Sequence, residues 1–253
     1  MAENKALTKK DVQKAALFWH ATSHMTYNYQ RLQAGSMTAM MGPLFEKLYP
    51  NNPEKIKEGC ERQMLYFNTE PRWGAIIPGM TVALEEAYAM DPEGGVDGSL
   101  ITEIKTALMG PLAGIGDTVW AGLMKPIILS ITLAWAMQGY VLGAWAYWLI
   151  TFGLDLGITY YMFMRGYKLG TDSVDRFLEG GFVKTVTTAI GIVGMFCLGA
   201  MIVKYVGISA VLQIEMTTTT LDFASIMNKI IPSFLPLVFT LLAYWMQVKG
   251  KKV

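Results

Sequence analysis

The chain has 253 residues, 53% of them hydrophobic and only 16% charged, with a formal net charge of +1. A soluble domain of this size carries roughly 25% charged residues, and a disordered or fibrous chain needs far fewer aromatic and aliphatic side chains. The near-zero charge gives no footprint for nucleic acid, which leaves a polytopic membrane protein.

The N-terminus, MAENKALTKKDVQKAALFWH, mixes both charge signs and has no apolar core before Ala15, so it does not read as a signal peptide. Leu32 to Phe45 is charge-free but short and contains Gly35, Gly42 and Pro43. Residues 46 to 72 alternate charge signs from Glu46 and Lys47 to Glu61 and Arg62, which predicts an amphipathic surface helix with Ile56, Cys60 and Met64 on its apolar face. Trp73 to Leu84 is apolar and holds Gly74, Pro78 and Gly79. Residues 85 to 105 are acidic, with a turn signal at Asp91-Pro92-Glu93-Gly94-Gly95. Thr106 to Gly116 carries Gly110, Pro111, Gly114 and Gly116 and leads into Asp117.

Three longer charge-free runs follow, and a spanning helix needs about 20 apolar residues. Pro126 to Leu154, between Lys125 and Asp155, is too long for one upright helix and should break near Gln138-Gly139. Thr185 to Val203 and Ile230 to Val248 are the other two; the second holds Pro232 and Pro236. Between them, Thr217 to Thr220 reads as loop. The expectation is one all-α domain over 1–253: an amphipathic N-terminal region over 1–72, a glycine-rich hairpin region over 73–125 and the main hydrophobic helices over 126–248. Its short Gly/Pro-interrupted pieces fit broken, re-entrant helices of a transporter or interfacial and buried helices of an ordinary bundle. Lys5, Lys9, Lys10 and Lys14 at one end and Lys249, Lys251 and Lys252 at the other place both termini in the cytoplasm.

Candidate chemistry is sparse. Cys60 and Cys197 have no CxxC spacing and read as free thiols. His20 and His24 share a helical face, but no glutamate lies between them and no third histidine exists, so polar packing or sugar contacts are favoured over metal. Gly110 to Asp117 lacks the Lys-Ser/Thr of a P-loop. Asp117 is either an intramembrane functional carboxylate or a helix N-cap for Thr118-Val119-Trp120. Asn68-Thr69-Glu70-Pro71, after Tyr66-Phe67, offers amide, hydroxyl and aromatics for a sugar, or caps the next helix. Glu85 and Glu86 fit an interfacial helix end, with one of them a candidate for burial. No Ser/His/Asp order or nucleophile elbow exists, which points to translocation.

Taken together, several motifs resemble the IID membrane component of the mannose/fructose/sorbose family of bacterial phosphotransferase system (PTS) sugar permeases. They are Tyr27-Asn28-Tyr29-Gln30-Arg31-Leu32-Gln33, Leu48-Tyr49-Pro50, Phe67-Asn68-Thr69-Glu70-Pro71, Thr81 to Glu86, and Lys105 to Asp117 followed by Lys125-Pro126. Weaker echoes are Gly166-Tyr167-Lys168, Glu179-Gly180-Gly181 and Ile231-Pro232. The chain departs from the pattern at Trp19-His20, His24 and Gln30, where the family carries Arg-Ser, Gln and Glu. The resemblance implies broken helices, an inverted structural kinship with a IIC partner, and a trimer of IIC–IID pairs in the bacterial inner membrane. It implies that the sugar, a hexose or derivative, is phosphorylated on entry by IIB, itself supplied by IIA. No phosphoryl-accepting catalytic residue and no cofactor is then expected in this chain. The sugar-binding candidates become Asn68, Thr69, Asp117, Glu85, Asn28, Gln33 and His24. The competing readings are a stand-alone secondary transporter, driven by an ion at Asp117 or Glu85-Glu86, and a non-transporting receptor or scaffold.

Overall fold

The computed structural model describes residues 6–92, 96–178, 188, 192, 195, 199, 213–215, 220–222 and 234–250. The chain is mostly helical and divides into two compact units, Met1–Met195 and Phe196–Val253.

In the first unit, α1 (Lys9–Thr22) opens on a reciprocal cap: the Thr8 hydroxyl accepts the Asp11 N–H while the Asp11 carboxylate accepts the Thr8 N–H. Val12, Ala15, Ala16 and Trp19 form its buried stripe. After α2 (Ala34–Leu48), α3 (Pro53–Gln63) begins at an Asn52 cap with Pro53 in its first turn. It lays Ile56, Cys60 and Met64 against the core, as their spacing predicts. A 3-10 turn (Trp73–Ala75) feeds α4 (Ile76–Met90), and α5 (Gly98–Gly116) starts at an Asp97 cap. A π-helical segment (Asp117–Met124) joins α5 to α6 (Lys125–Met137), and α7 (Leu142–Leu178) follows.

The core is built around α4, in which every residue from Ile77 to Glu86 is buried. A helix enclosed on all sides needs neighbours that approach closely, and glycine permits that. A Cβ on Gly79 would run into the Phe163 carbonyl of α7, and one on Gly166 into the Ile76 carbonyl of α4. The two helices are thus in reciprocal backbone contact.

The expected breaks are largely absent. Helix α2 runs past Gly35, Gly42 and Pro43, α4 past Pro78 and Gly79, and α5 past Gly110, Pro111 and Gly114. Pro78 falls in a first helical turn, where its missing N–H costs nothing, and Gly79 serves packing rather than chain reversal. At 110–117, where the glycines and Pro111 favour a break or re-entrant tip, α5 stays helical and runs on into the π-helical segment. Nor do charges end the helices: one passes through Lys125 and another through Asp155. From Gly98 to Met137 the chain is helical over 40 residues, the one helix among the described residues long and apolar enough to cross a membrane.

The break at Gln138-Gly139 is where the composition puts it. Helix α6 ends at Met137, Gly139 turns the chain at φ +86°, and α7 begins at Leu142. Gly143 lets the returning helix lie on Thr132 and Ala136. Outward from this hairpin stand Leu129, Leu133, Trp135, Trp145, Trp148 and Phe152, an exposed apolar face suited to lipid or another subunit.

In the second unit, β1 (Gln213–Glu215) pairs antiparallel with β2 (Thr220–Asp222) in the register Ile214 to Leu221. These two short strands depart from an all-α architecture, and Thr220 lies in the second of them. Helix α8 (Phe234–Val248) is predominantly apolar and carries no charged residue over its 15 residues. The expected span Thr185 to Val203 lies largely outside the described residues.

Candidate functional site

The segment from Phe67 to Trp73 is fixed from both sides. Leu32, at φ +49°, brings Gln33 beside Phe67, so that the Gln33 N–H donates to the Phe67 carbonyl at 2.9 Å. The Gln33 side chain then spends both ends of its amide on Thr69: Nε2 donates to the Thr69 carbonyl and Oε1 accepts the Thr69 N–H, each at 2.9 Å. Gln33 is fully buried and holds the loop rather than facing a ligand. Thr69 is buried too, and its hydroxyl makes no hydrogen bond to the described residues.

Glu70 fixes the turn that leads into the 3-10 segment. Its Oε2 accepts the N–H groups of Arg72 and Trp73 at 3.0 and 2.8 Å, and its Oε1 meets Arg72 Nη1 at 3.0 Å. Burial pushes the Glu70 carboxyl pKa up against these donors, so its charge depends on them. Arg72 reaches on to Asp155 of α7 with a two-pronged contact, Nε at 2.6 Å and Nη2 at 3.0 Å, and covers the Trp120 ring at 5.1 Å. His20 Nδ1 lies 4.0 Å from the same Asp155, and Trp19 Nε1 donates to the Pro71 carbonyl at 3.0 Å. Gly116 of α5 presses on Glu70, where any Cβ would collide with its side chain. The glycine motif and the Phe-Asn-Thr-Glu-Pro motif are therefore one packing unit.

Above this buried hub is an open polar and aromatic rim. The Tyr27 hydroxyl donates to Asn68 Oδ1, and the His24 ring tilts against Tyr27 at 5.4 Å between centroids. Burial raises the Tyr27 pKa, and nearby Tyr66 and Asp117 push the same way, so the phenol stays a donor. Burial, with Arg72 and Lys125 beside it, lowers the His24 pKa and keeps that ring neutral at pH 7. Asp117 is exposed and sits in helical backbone at φ −61°, ψ −41°. The segment it opens has Gly116 at its N-cap position and no side-chain cap, so the capping alternative for Asp117 falls. Neutral donors, an amide, a carboxylate and two tyrosine rings are suited to sugar hydroxyls and C–H faces.

Two sequence candidates, His24 and Asn68, thus meet on the rim through Tyr27, and Asp117 stands exposed one residue beyond the Gly116–Glu70 contact. Asn28 instead closes its own turn, accepting the Gln30 and Arg31 N–H groups at 3.1 and 2.9 Å. Glu85 lies in a second cluster, fully buried, bound by Arg62 through Nε at 2.9 Å and Nη2 at 2.6 Å and by Gln63 at 2.6 Å. Glu86 is buried as well, accepting the Leu7 N–H and the Tyr167 hydroxyl. An interfacial helix end is the wrong description for either, because both lie inside α4 where α3, α7 and the N-terminal segment cover them. Among the described residues no cluster of His, Cys, Asp or Glu could hold a metal.

Sequence reasoning missed Tyr27, Arg72 and Asp155. Asp155 was visible as the charge closing an apolar run, and Arg72 as the lone cation beside Pro71. Nothing local signalled that they pair.

Comparison with known proteins places this architecture. The profile of the PTS system mannose/fructose/sorbose family IID component matches residues 6–253. The chain belongs to the IID family. It is 33% identical to the mannose-specific EIID component of Escherichia coli K12 over 229 residues, 87% of this chain and 79% of the relative. It is 31% identical to the fructose permease IID component of Bacillus subtilis 168, covering 99% of this chain and 91% of that one. A chain in the cryo-electron microscopy structure of the mannose transporter ManYZ with microcin E492 superposes with a TM-score of 0.76 at 31% identity, covering 98% of this chain and 91% of that chain. This IID chain is accordingly a membrane component of a PTS sugar permease, and a stand-alone ion-coupled transporter or a non-transporting receptor is not favoured.

Proposed function

We propose that this IID chain and a IIC subunit together line the path of a hexose or hexose derivative across the bacterial inner membrane, and that IIB, charged by IIA, phosphorylates the sugar on entry. The observation that carries this reading is the rim itself: exposed Tyr27 and Asp117 and half-buried Asn68 stand above Glu70, Arg72 and Asp155, a polar site on a rigid base. The rim residues are hydrogen-bonding groups, and none needs to accept a phosphoryl group. The exposed apolar face of the α6–α7 hairpin is the surface offered to lipid and to the partner. The multi-pass arrangement with both termini cytoplasmic and the assembly of three IIC–IID pairs belong to the same proposal.

The test is Asn68→Ala in proteoliposomes containing IIC, IIB, IIA and phosphoenolpyruvate. Loss of a buried hydrogen-bond partner for a sugar hydroxyl costs about 1–3 kcal/mol, so binding weakens roughly 5- to 150-fold while assembly holds. Normal sugar binding by the variant would remove Asn68 from the site.

A further inference from the structure

Lys105 is the buried charge that the sugar-site reading leaves without a role. It opens the Lys105-to-Asp117 motif, sits on α5 at 1% exposure, and sends Nζ to the Arg62 carbonyl and to Gln63 Oε1, each at 3.2 Å. Its ammonium also lies 5.9 Å from the centroid of Phe67, which is itself fully buried. Phe67 is the residue whose backbone bridges Arg31 and Gln33, and the next residue in the chain is Asn68.

Helix α5 therefore meets the site segment twice. Lys105 bears on Phe67 at one end and Gly116 on Glu70 at the other, 11 residues along, about 16 Å of helix. From the opposite side Gln33 grips Thr69. Removing the ammonium leaves a buried carbonyl and the Gln63 amide oxygen without that donor. Phe67 then loses the charge that sits against it.

We propose that Lys105 is a positioning residue of the sugar site, holding Phe67 and with it the rim segment 66–70 in the geometry that presents Asn68. The proposal rests on the sugar-site reading of Asn68, and two independent readouts keep them apart. The first is hydrogen exchange in the assembled IIC–IID complex, comparing peptides covering 66–70 with peptides covering 77–86 of α4. The second is sugar-dependent phosphorylation with IIA and IIB. In Lys105→Met, which keeps the stem and removes the charge, exchange at 66–70 rises about tenfold and at 77–86 stays unchanged. The half-saturating sugar concentration rises by a similar factor, with the rate at saturation preserved.

Faster exchange at 66–70 with unchanged half-saturation leaves the clamp standing and overturns the sugar-site reading. Unchanged exchange at 66–70, or loosening that spreads equally through α4, overturns the role of Lys105. If Lys105→Met fails to assemble, Phe67→Leu decides by the same two readouts, since it keeps an apolar filler and removes the ring facing the charge.

Discussion

Arg72 closes on Asp155 across 83 positions of sequence, its Nε and Nη2 donating to the two carboxylate oxygens at 2.6 and 3.0 Å. The pair ties the loop before α4 to the middle of α7, and Glu70 completes it from the other side. A charge on an apolar helix is costly without a partner, so each residue of this pair explains the other.

Breaking the pair should be expensive. Asp155→Leu leaves Arg72 with Glu70 alone. The side chains keep 18% and 22% exposure, so the cost lies between about 3–5 kcal/mol for a fully buried pair and about 1 kcal/mol or less at a surface. A loss of roughly 2 kcal/mol is expected on that basis, read as a lower unfolding midpoint of the purified complex. The double variant Arg72→Met/Asp155→Leu should recover most of it, and failure to do so would show that Asp155 acts through other contacts.

The glycines separate by environment. Gly79→Ala and Gly166→Ala put a methyl into a carbonyl of the facing helix, and overpacking of this kind costs about 1–3 kcal/mol. Gly153→Ala on the same α7 meets nothing within 4 Å and should be neutral or stabilising by up to about 1 kcal/mol. Equal effects at Gly153 and Gly166, measured by thermal unfolding of the complex, would contradict the reciprocal contact of α4 and α7.

What was legible in the sequence was local. The face of α3, the turn at Gln138-Gly139 and the polar-aromatic character of Tyr66 to Glu70 follow from spacing and residue type within a few positions. Partners far apart in sequence were not legible: Glu85 with Arg62, Glu86 with Tyr167, and Arg72 with Asp155. Gly and Pro misled for a related reason. In isolation they signal breaks, but at Gly79, Gly116 and Gly166 tertiary packing uses the missing Cβ, and the helices stay continuous.

Acid should unpick the first helix. Hydrogen bonding to Lys47 and Thr8 holds the Asp11 carboxyl at about 2, below its unfolded value of about 3.9. The folded pKa is depressed, so this stabilisation is complete above about pH 5 and is lost as pH falls through 4 toward 2. The difference in unfolding midpoint between wild type and Asp11→Asn should be constant at neutral pH and close up over that acidic window. A difference that persisted unchanged to pH 2 would rule out the Lys47–Asp11 interaction as its source.

Asp117→Asn tests the rim where structure and function are cleanly separable. The residue is exposed, its backbone is helical, and the π-helical segment it opens has no side-chain cap. The fold therefore has little to lose, and a change within about 0.5 kcal/mol is expected for such a position. A carboxylate that accepts a sugar hydroxyl has more at stake, because hydrogen bonds to charged groups contribute about 1.5–3 kcal/mol. The amide keeps the size and one acceptor oxygen but removes the charge, so sugar affinity should drop roughly ten- to hundredfold while the IIC–IID complex assembles in normal yield. Phosphoenolpyruvate-driven uptake and sugar binding, measured on the same preparation, decide the matter: normal values in the Asn variant take Asp117 out of the pathway and leave His24, Tyr27 and Asn68 as the rim.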